Sequence, residues 1–155
     1  MPDAMTVEIA DDVVARLNVP SAFSQVIAAE RAWTVLYELE ELADLKVTVV
    51  ASTAITAEDA TRDERAVSHE IQVGIQKRIH AQTVAETNTL CDPLAYLAQE
   101  IGDHFVSEDV MESMSAGVGA QCVSSSAVLC DPQMLREKRV FLAIVTLDFL
   151  EWRAR

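Results

Sequence analysis

The sequence predicts an α+β domain in which two main helices cover one face of a mixed, largely antiparallel sheet of about five strands, with a protruding β-hairpin arm. The main observation is the strict alternation from Ala66 to Ile79, typical of an antiparallel strand with one face on a core. One face of this strand carries Val67, His69, Ile71, Val73, Ile75, Lys77 and Ile79.

The length of this strand predicts the arm. Its fourteen residues at roughly 3.3 Å each would reach about 45 Å. A compact domain of 155 residues has a diameter of about 40 Å. We therefore expect the strand to extend past its own core and to need a partner there.

The first half of the chain alternates helix and strand. Apolar residues recur at helical spacing near the N-terminus, and a β-branched run follows later. The predicted elements are a helix at Asp3–Asn18, a strand at Val26–Leu36, a short acidic helical turn or loop at Leu39–Asp44 and a strand at Lys46–Ser52. The polar segment Thr53–Glu64 is predicted to be the loop at the tip of the arm, although twelve residues are long for a hairpin connection.

The second half predicts another helix and two more strands. Asp92 and Pro93 are typical of an N-cap and a first helical residue, and an apolar stripe follows at Leu94, Leu97, Ala98, Ile101 and Phe105. The Ser-, Met- and Gly-rich segment Ser107–Gly119 is predicted to be mobile. The remaining predictions are a weak strand at Gln121–Cys130, a helical turn at Gln133–Glu137 and an interior strand at Val140–Trp152, apolar on both faces.

Composition predicts a single globular domain over 1–155, with no membrane segment. The longest apolar run, near Val140–Val145, is far shorter than the roughly 20 residues of a membrane span. The first residues are acidic and lack the basic region of a signal peptide. Three cysteines without CxxC spacing are expected to be reduced thiols, as in a cytoplasmic product.

Charge is distributed unevenly along a chain of net charge −13. No Lys or Arg occurs from Ile79 to Leu135, which holds eight acids, whereas the last twenty residues are basic. This split suits head-to-tail contacts between subunits, and solvated faces are an equal alternative. The interface candidates are Asp63, Glu64, Arg65, Arg136, Lys138 and Arg139.

Candidate chemical groups lack the partners that catalysis or metal binding requires. Glu100 and His104 are four residues apart, but no third or fourth ligand accompanies them, so a surface ion pair is favoured over a metal site. His69 has no nucleophile motif and is expected to be a buried or edge histidine. Cys122 and Cys130 share a face of a strand but are too far apart to form a disulfide.

Weaker motifs also favour a structural role. Gly117 and Gly119 form a lone GxG without a preceding strand. Trp33 and Trp152 are too few for a nucleic-acid stacking platform. The adjacent acids Asp11-Asp12, Glu40-Glu41 and Glu108-Asp109 point to different sides and make poor acid/base pairs. We therefore expect no enzyme activity, no cofactor and no metal.

Three stretches carry a family resemblance: ERAWTVLYELEELADLKVTVV (Glu30–Val50), SHEIQVGIQKRI (Ser68–Ile79) and DPQMLREKRVFLAIVTLDFLEWR (Asp131–Arg153). In their order they resemble the small tail-terminator and tail-completion (neck) proteins of long-tailed bacteriophages. The resemblance implies a virion subunit that forms a hexameric ring at the head-proximal end of the tail tube and stops tube growth. Its implied partners are its own copies, the tail tube protein and a head-completion or connector protein, with DNA passing through the ring without specific binding.

Two alternatives of other classes remain open. One is a small regulatory or ligand-binding α+β module of a host cell, and the other is a small hydrolase. Neither explains a strand that is longer than the domain. The virion interpretation also implies assembly in the host cytoplasm.

Overall fold

The computed structural model describes residues 4–35 and 39–154 and confirms the α+β class. Its helices are α1 (Met5–Leu17), α2 (Val84–Phe105), α3 (Glu108–Gly117) and α4 (Pro132–Lys138), with a short 3₁₀ helix at Leu39–Ala43. Its strands are β1 (Ala29–Ala32), β2 (Lys46–Val50), β3 (Ile55–Asp59), β4 (Glu64–Arg78), β5 (Ala120–Val128) and β6 (Val140–Ala154). Among the described residues, six strands therefore form the sheet, against about five predicted.

The sheet is built around the long pair β4 and β6. The strand order is β1-β2-β4-β6-β5, with only β1 and β2 parallel. Strands β4 and β6 pair along their whole lengths, from Glu64 opposite Ala154 to Arg78 opposite Val140. Strands β2 and β3 follow each other along the opposite edge of β4. The prediction that the final strand is interior is confirmed, because β6 has a neighbour on each side.

Helices α1 and α2 cover one face of the sheet, as predicted. Asp11 on α1 forms an ion pair of 2.8 Å with Arg31, whose strand partner is Val49 on the buried face. On α2, Gly102 lies against Ser125 and Val145. The predicted apolar stripe of α2 is buried in the same core as the odd-numbered residues of β4. The core therefore lies between these helices and the odd-numbered face.

The other face of the sheet is covered in part by the segment that leads into β2. A Cβ atom on Gly74 would lie 2.1 Å from Val35 Cγ1, so only glycine allows this close approach. Leu42 of the 3₁₀ helix is buried, as are Thr48 and Gln76. Farther along β4, Glu70 is exposed to solvent.

The first predicted strand differs from the structure in its bounds. The predicted strand from Val26 is shorter, since β1 begins at Ala29 and ends at Ala32. Its predicted end, Leu36, lies outside the described residues, as does the predicted first residue of α1, Asp3. The predictions for β2, β5, α4 and the acidic helical turn are confirmed to within a few residues.

The second helix begins before the predicted position. Thr83 is its N-cap, and Thr83 and Glu86 form a reciprocal capping box. Asp92 is therefore not the cap, and Pro93 lies inside the helix. Proline cannot donate to the carbonyl group four residues earlier, so the helix tolerates one missing hydrogen bond.

Regular structure occurs in the segment predicted as a loop and in the segment predicted to be mobile. Five residues of Thr53–Glu64 form strand β3, and the hairpin loop is only the four residues between Asp59 and Glu64. Ser107–Gly119 is mostly α3, in which Val110 and Met114 are buried four residues apart. None of the described helices is long and apolar enough to cross a membrane.

Candidate functional site

The arm is a three-stranded extension of the sheet. We define it as Ile55–Ala66 together with Trp152–Ala154. All five residues of β3 are exposed, as are Glu64 and Arg65 at the start of β4 and the three residues of β6. Since β3 and β6 flank β4 here, the arm is wider than a two-stranded hairpin.

The arm tip holds three of the predicted interface residues. Arg65 forms an ion pair of 3.2 Å with Asp59, its partner across the hairpin. Glu58, Asp63 and Glu64 form no ion pair within the described part of the chain. The tip therefore presents carboxylates that are available to another molecule.

A buried polar cluster lies at the base of the arm. His69 Nε2 is 2.9 Å from Glu151 Oε2. Arg153 donates to both oxygens of the same carboxylate, from Nε at 2.7 Å and from Nη2 at 2.9 Å. His69 and Glu151 are buried, whereas Arg153 is half-exposed. The cluster connects β4 to β6 where the arm leaves the core.

Electrostatics keeps Glu151 ionised. Burial alone would raise the pKa of this carboxyl, but the hydrogen bonds from Arg153 and His69 outweigh it and lower the pKa. An ionised carboxylate only accepts, so the Nε2–H of His69 is the donor. Buried Nδ1 of His69 has no partner among the described atoms. These hydrogen bonds join β4 to β6 at the base of the arm.

The other predicted interface residues lie at the opposite end of the sheet. Arg136 and Lys138 are on α4, and Arg139 follows in a left-handed conformation with φ of 55°. The carbonyl of Arg139 accepts a hydrogen bond of 2.8 Å from the amide of Ile79. The two predicted sets of residues are thus not brought together: fifteen residues of β4 separate them by about 50 Å.

Three further bases join this group. Lys46 begins β2, and Lys77 and Arg78 end β4, so all three lie where α4 meets the sheet. We call these residues the basic end: Lys46, Lys77, Arg78, Arg136, Lys138 and Arg139. Within the described structure none of the six is in an ion pair.

The first turns of α2 project beside the basic end. Arg139 lines a groove there with Gln82, Thr83, Val84, Thr87 and Asn88. Val84 is 78% exposed. The nearby acids are partly engaged, because Glu86 caps α2 and Asp131 caps α4. The base Arg139 and the exposed apolar side chain of Val84 therefore line one groove that faces solvent.

Glu100 and His104 have other roles than the predicted ion pair. The carboxylate of Glu100 accepts hydrogen bonds from the amide and the hydroxyl group of Ser24. His104 packs edge-on against Phe23 and Phe105. Burial, with a smaller effect of Arg16, lowers the pKa of His104. Both residues fix the loop before β1 to α2.

The cysteines are poorly suited to nucleophilic chemistry. Burial raises the pKa of Cys122 to about 11 and also raises the pKa of Cys91 and Cys130. All three are free thiols, and a raised pKa disfavours the reactive thiolate.

The remaining candidates are separated as well. Gly117 ends α3 and Gly119 takes a positive φ of 78° before β5, so this pair forms a helix terminus. Asp11 and Asp12 bind different arginines. Trp33 and Trp152 are both exposed. No cluster of three or more potential metal ligands occurs among the residues described.

No family model and no curated protein matches this sequence.

Sequence reasoning missed half of the basic end and two members of the cluster. Lys77 and Arg78 end the long alternating strand, but their proximity to α4 follows from the pairing of Arg78 with Val140. Glu151 and Arg153 are two residues apart on one strand face, a spacing that signals neighbouring side chains. Their contact with His69 depends on the register of β4 and β6.

Proposed function

We propose that this chain is a structural virion protein that forms a ring, of six copies, at the head-proximal end of a phage tail tube. The ring stops polymerisation of the tube and joins the tail to a head-completion or connector protein. The protein is assembled in the host cytoplasm and acts in the tail or neck of the virion.

The observation that carries this proposal is the arm. Its side chains are exposed along β3 and at the ends of β4 and β6. An isolated subunit gains little from holding three strands in solvent, because strands are stabilised mainly by packing of their side chains. A neighbouring copy that covers the arm would supply that packing, and an exposed strand edge can also extend a neighbour's sheet.

The two ends of the subunit differ, and this supports a ring. A contact between unlike surfaces is heterologous, and repetition of such a contact closes a ring or extends a filament. Within the described part of the chain, the arm tip carries acids outside any ion pair and the basic end carries bases outside any ion pair. In a closed ring, every subunit would bind a neighbour through each of its two unlike surfaces.

The acidic character of the chain suits passage of DNA. With a net charge of −13, the surface away from the basic end repels phosphate instead of holding it. A lumen of this kind would allow DNA to slide through without specific binding.

The test combines mass and tube length. Native mass spectrometry of the purified chain, alone and with tail tube protein, should give the mass of six copies in at least one state. In electron micrographs, tubes polymerised with the chain should be shorter and carry a ring at one end. Tubes of unchanged length without end-bound rings would contradict the proposal, and an acidic protein of similar size serves as the control.

A further inference from the structure

We propose that the arm tip of one copy docks on the basic end of a second copy. This inference rests on the proposed ring and names the two surfaces that join its subunits. It assigns the second copy, rather than nucleic acid, as the occupant of the basic end.

Charge complementarity is the first argument. Glu58, Asp63 and Glu64 have no ion-pair partner among the described residues. The six bases of the basic end likewise have no ion-pair partner among the described residues. The two sets lie at opposite ends of β4, so one subunit cannot pair them within itself. A second copy brings them together, and opposite potentials across an interface favour its correct register.

Exposed apolar residues beside both sets of charges are the second argument. On the arm, Trp152 and Glu58 both flank Ala66 in one row across the strands, and Trp152 is 52% exposed. At the basic end, Val84 is exposed in the groove that Arg139 lines. A tryptophan that enters a groove surrounded by polar side chains is a frequent centre of protein interfaces.

The same groove argues against nucleic acid. Only one of the six bases of the basic end, Arg139, lines this groove, beside the neutral side chains of Val84, Thr87 and Asn88. Phosphate binding draws its affinity from several cations along a backbone, and Asp44, Glu86, Asp131 and Glu137 lie in the segments that surround the basic end. This composition fits a protein surface of mixed character.

The test uses two charge-reversed variants. The arm variant carries Asp63→Lys and Glu64→Lys, and the basic-end variant carries Arg78→Glu and Lys138→Glu; all four positions are exposed. A control with Asp103→Lys and Glu112→Lys has the same charge change as the arm variant at exposed positions outside both surfaces. Thermal melts establish that each protein is folded, and single changes Glu64→Lys and Lys138→Glu replace any double variant that melts early.

Each variant alone should fail to form rings where the unaltered chain forms them, with a dissociation constant raised about tenfold or more. The control should assemble normally. An equimolar mixture of the two variants should form rings again, because the reversed arm of one meets the reversed basic end of the other. Native mass spectrometry should show equal numbers of both variants in each ring. Normal assembly of either folded variant alone, or failure of the mixture, would overturn the proposal.

Two more readouts separate the alternatives. The first readout is the affinity of the chain for a short DNA duplex. If the duplex binds the unaltered chain more tightly than the basic-end variant, and that variant still forms rings, the basic end is a phosphate-binding surface. Mixed rings that do not cap tail tubes would refute the proposed function but keep the docking surfaces. Capped tubes made by a single variant would refute the docking and keep the function.

Discussion

At the scale of single residues, one carboxylate holds the base of the arm together. Glu151 accepts hydrogen bonds from His69 on the neighbouring strand and from Arg153 on its own strand. Removal of a buried carboxylate from such a group leaves its donors without partners, which costs more than the hydrogen bonds themselves stabilise. The cluster therefore makes the arm sensitive to the charge of Glu151.

Glu151→Gln should lower the free energy of unfolding by about 1–3 kcal/mol at neutral pH. Because the pKa of Glu151 is lowered in the folded state, its contribution is present above the ordinary carboxyl pKa and is lost as the pH falls through the folded value. Urea unfolding at neutral and acidic pH should thus show a difference between variant and unaltered chain that shrinks in acid. An equal difference at both pH values would exclude an electrostatic role.

Gly74 makes a second prediction at this scale. Gly74→Ala places a methyl group 2.1 Å from Val35 Cγ1, and the branched valine side chain has little freedom to move. We expect a loss of about 1–3 kcal/mol from overpacking. Adding Val35→Ala should recover part of the loss in the same unfolding assay. Full additivity of the two changes would show that the two side chains do not touch.

At the scale of elements, the periodicity of apolar residues predicts the helices and strands whose side chains alternate clearly between core and solvent. The alternation of β4 and the stripe of α2 gave the correct faces. The start of α2 was misplaced because Asp92-Pro93 is a common helix start, although Thr83 and Glu86 already formed a capping-box pattern in the sequence. Local signals of similar strength cannot be ranked without the tertiary contacts.

The sequence could not reveal β3 or the basic end. Every residue of β3 is exposed, so no core imposes an apolar alternation on it, and its pairing depends on β4. Arg136, Lys138 and Arg139 were recognised as a candidate surface, but Lys46 joins them only through the order of strands in the sheet. Long-range register is the information that a single sequence lacks.

Helix α3 offers a test at this scale. Met114→Ala should destabilise the fold by about 2–5 kcal/mol, because a fully buried side chain leaves a cavity. Glu112→Ala, on the exposed side of the same helix, should change stability by less than about 0.5 kcal/mol. Chemical denaturation of both variants measures the difference. Equal effects would mean that α3 does not pack on the core.

At the scale of the whole molecule, the long strand β4 keeps the acids of the arm tip apart from the bases of the basic end. The chain is acidic overall, yet six bases that form no ion pair with any described residue lie at the end farthest from the arm. Separation along β4 prevents neutralisation within one subunit. In the proposed ring both ends would find partners, so the properties of the arm should change with assembly more than those of the core.

Hydrogen exchange should report that change. In the isolated subunit, the loop between Asp59 and Glu64 and the outward amides of β3 should exchange rapidly, since only alternate amides of β3 face β4. The amides around buried Met114 of α3 should be protected throughout. In rings, the arm should become protected while α3 stays unchanged, which makes α3 the internal control. An arm that is already protected in the isolated subunit, or that exchanges equally fast in rings, would place the subunit contact elsewhere on the molecule.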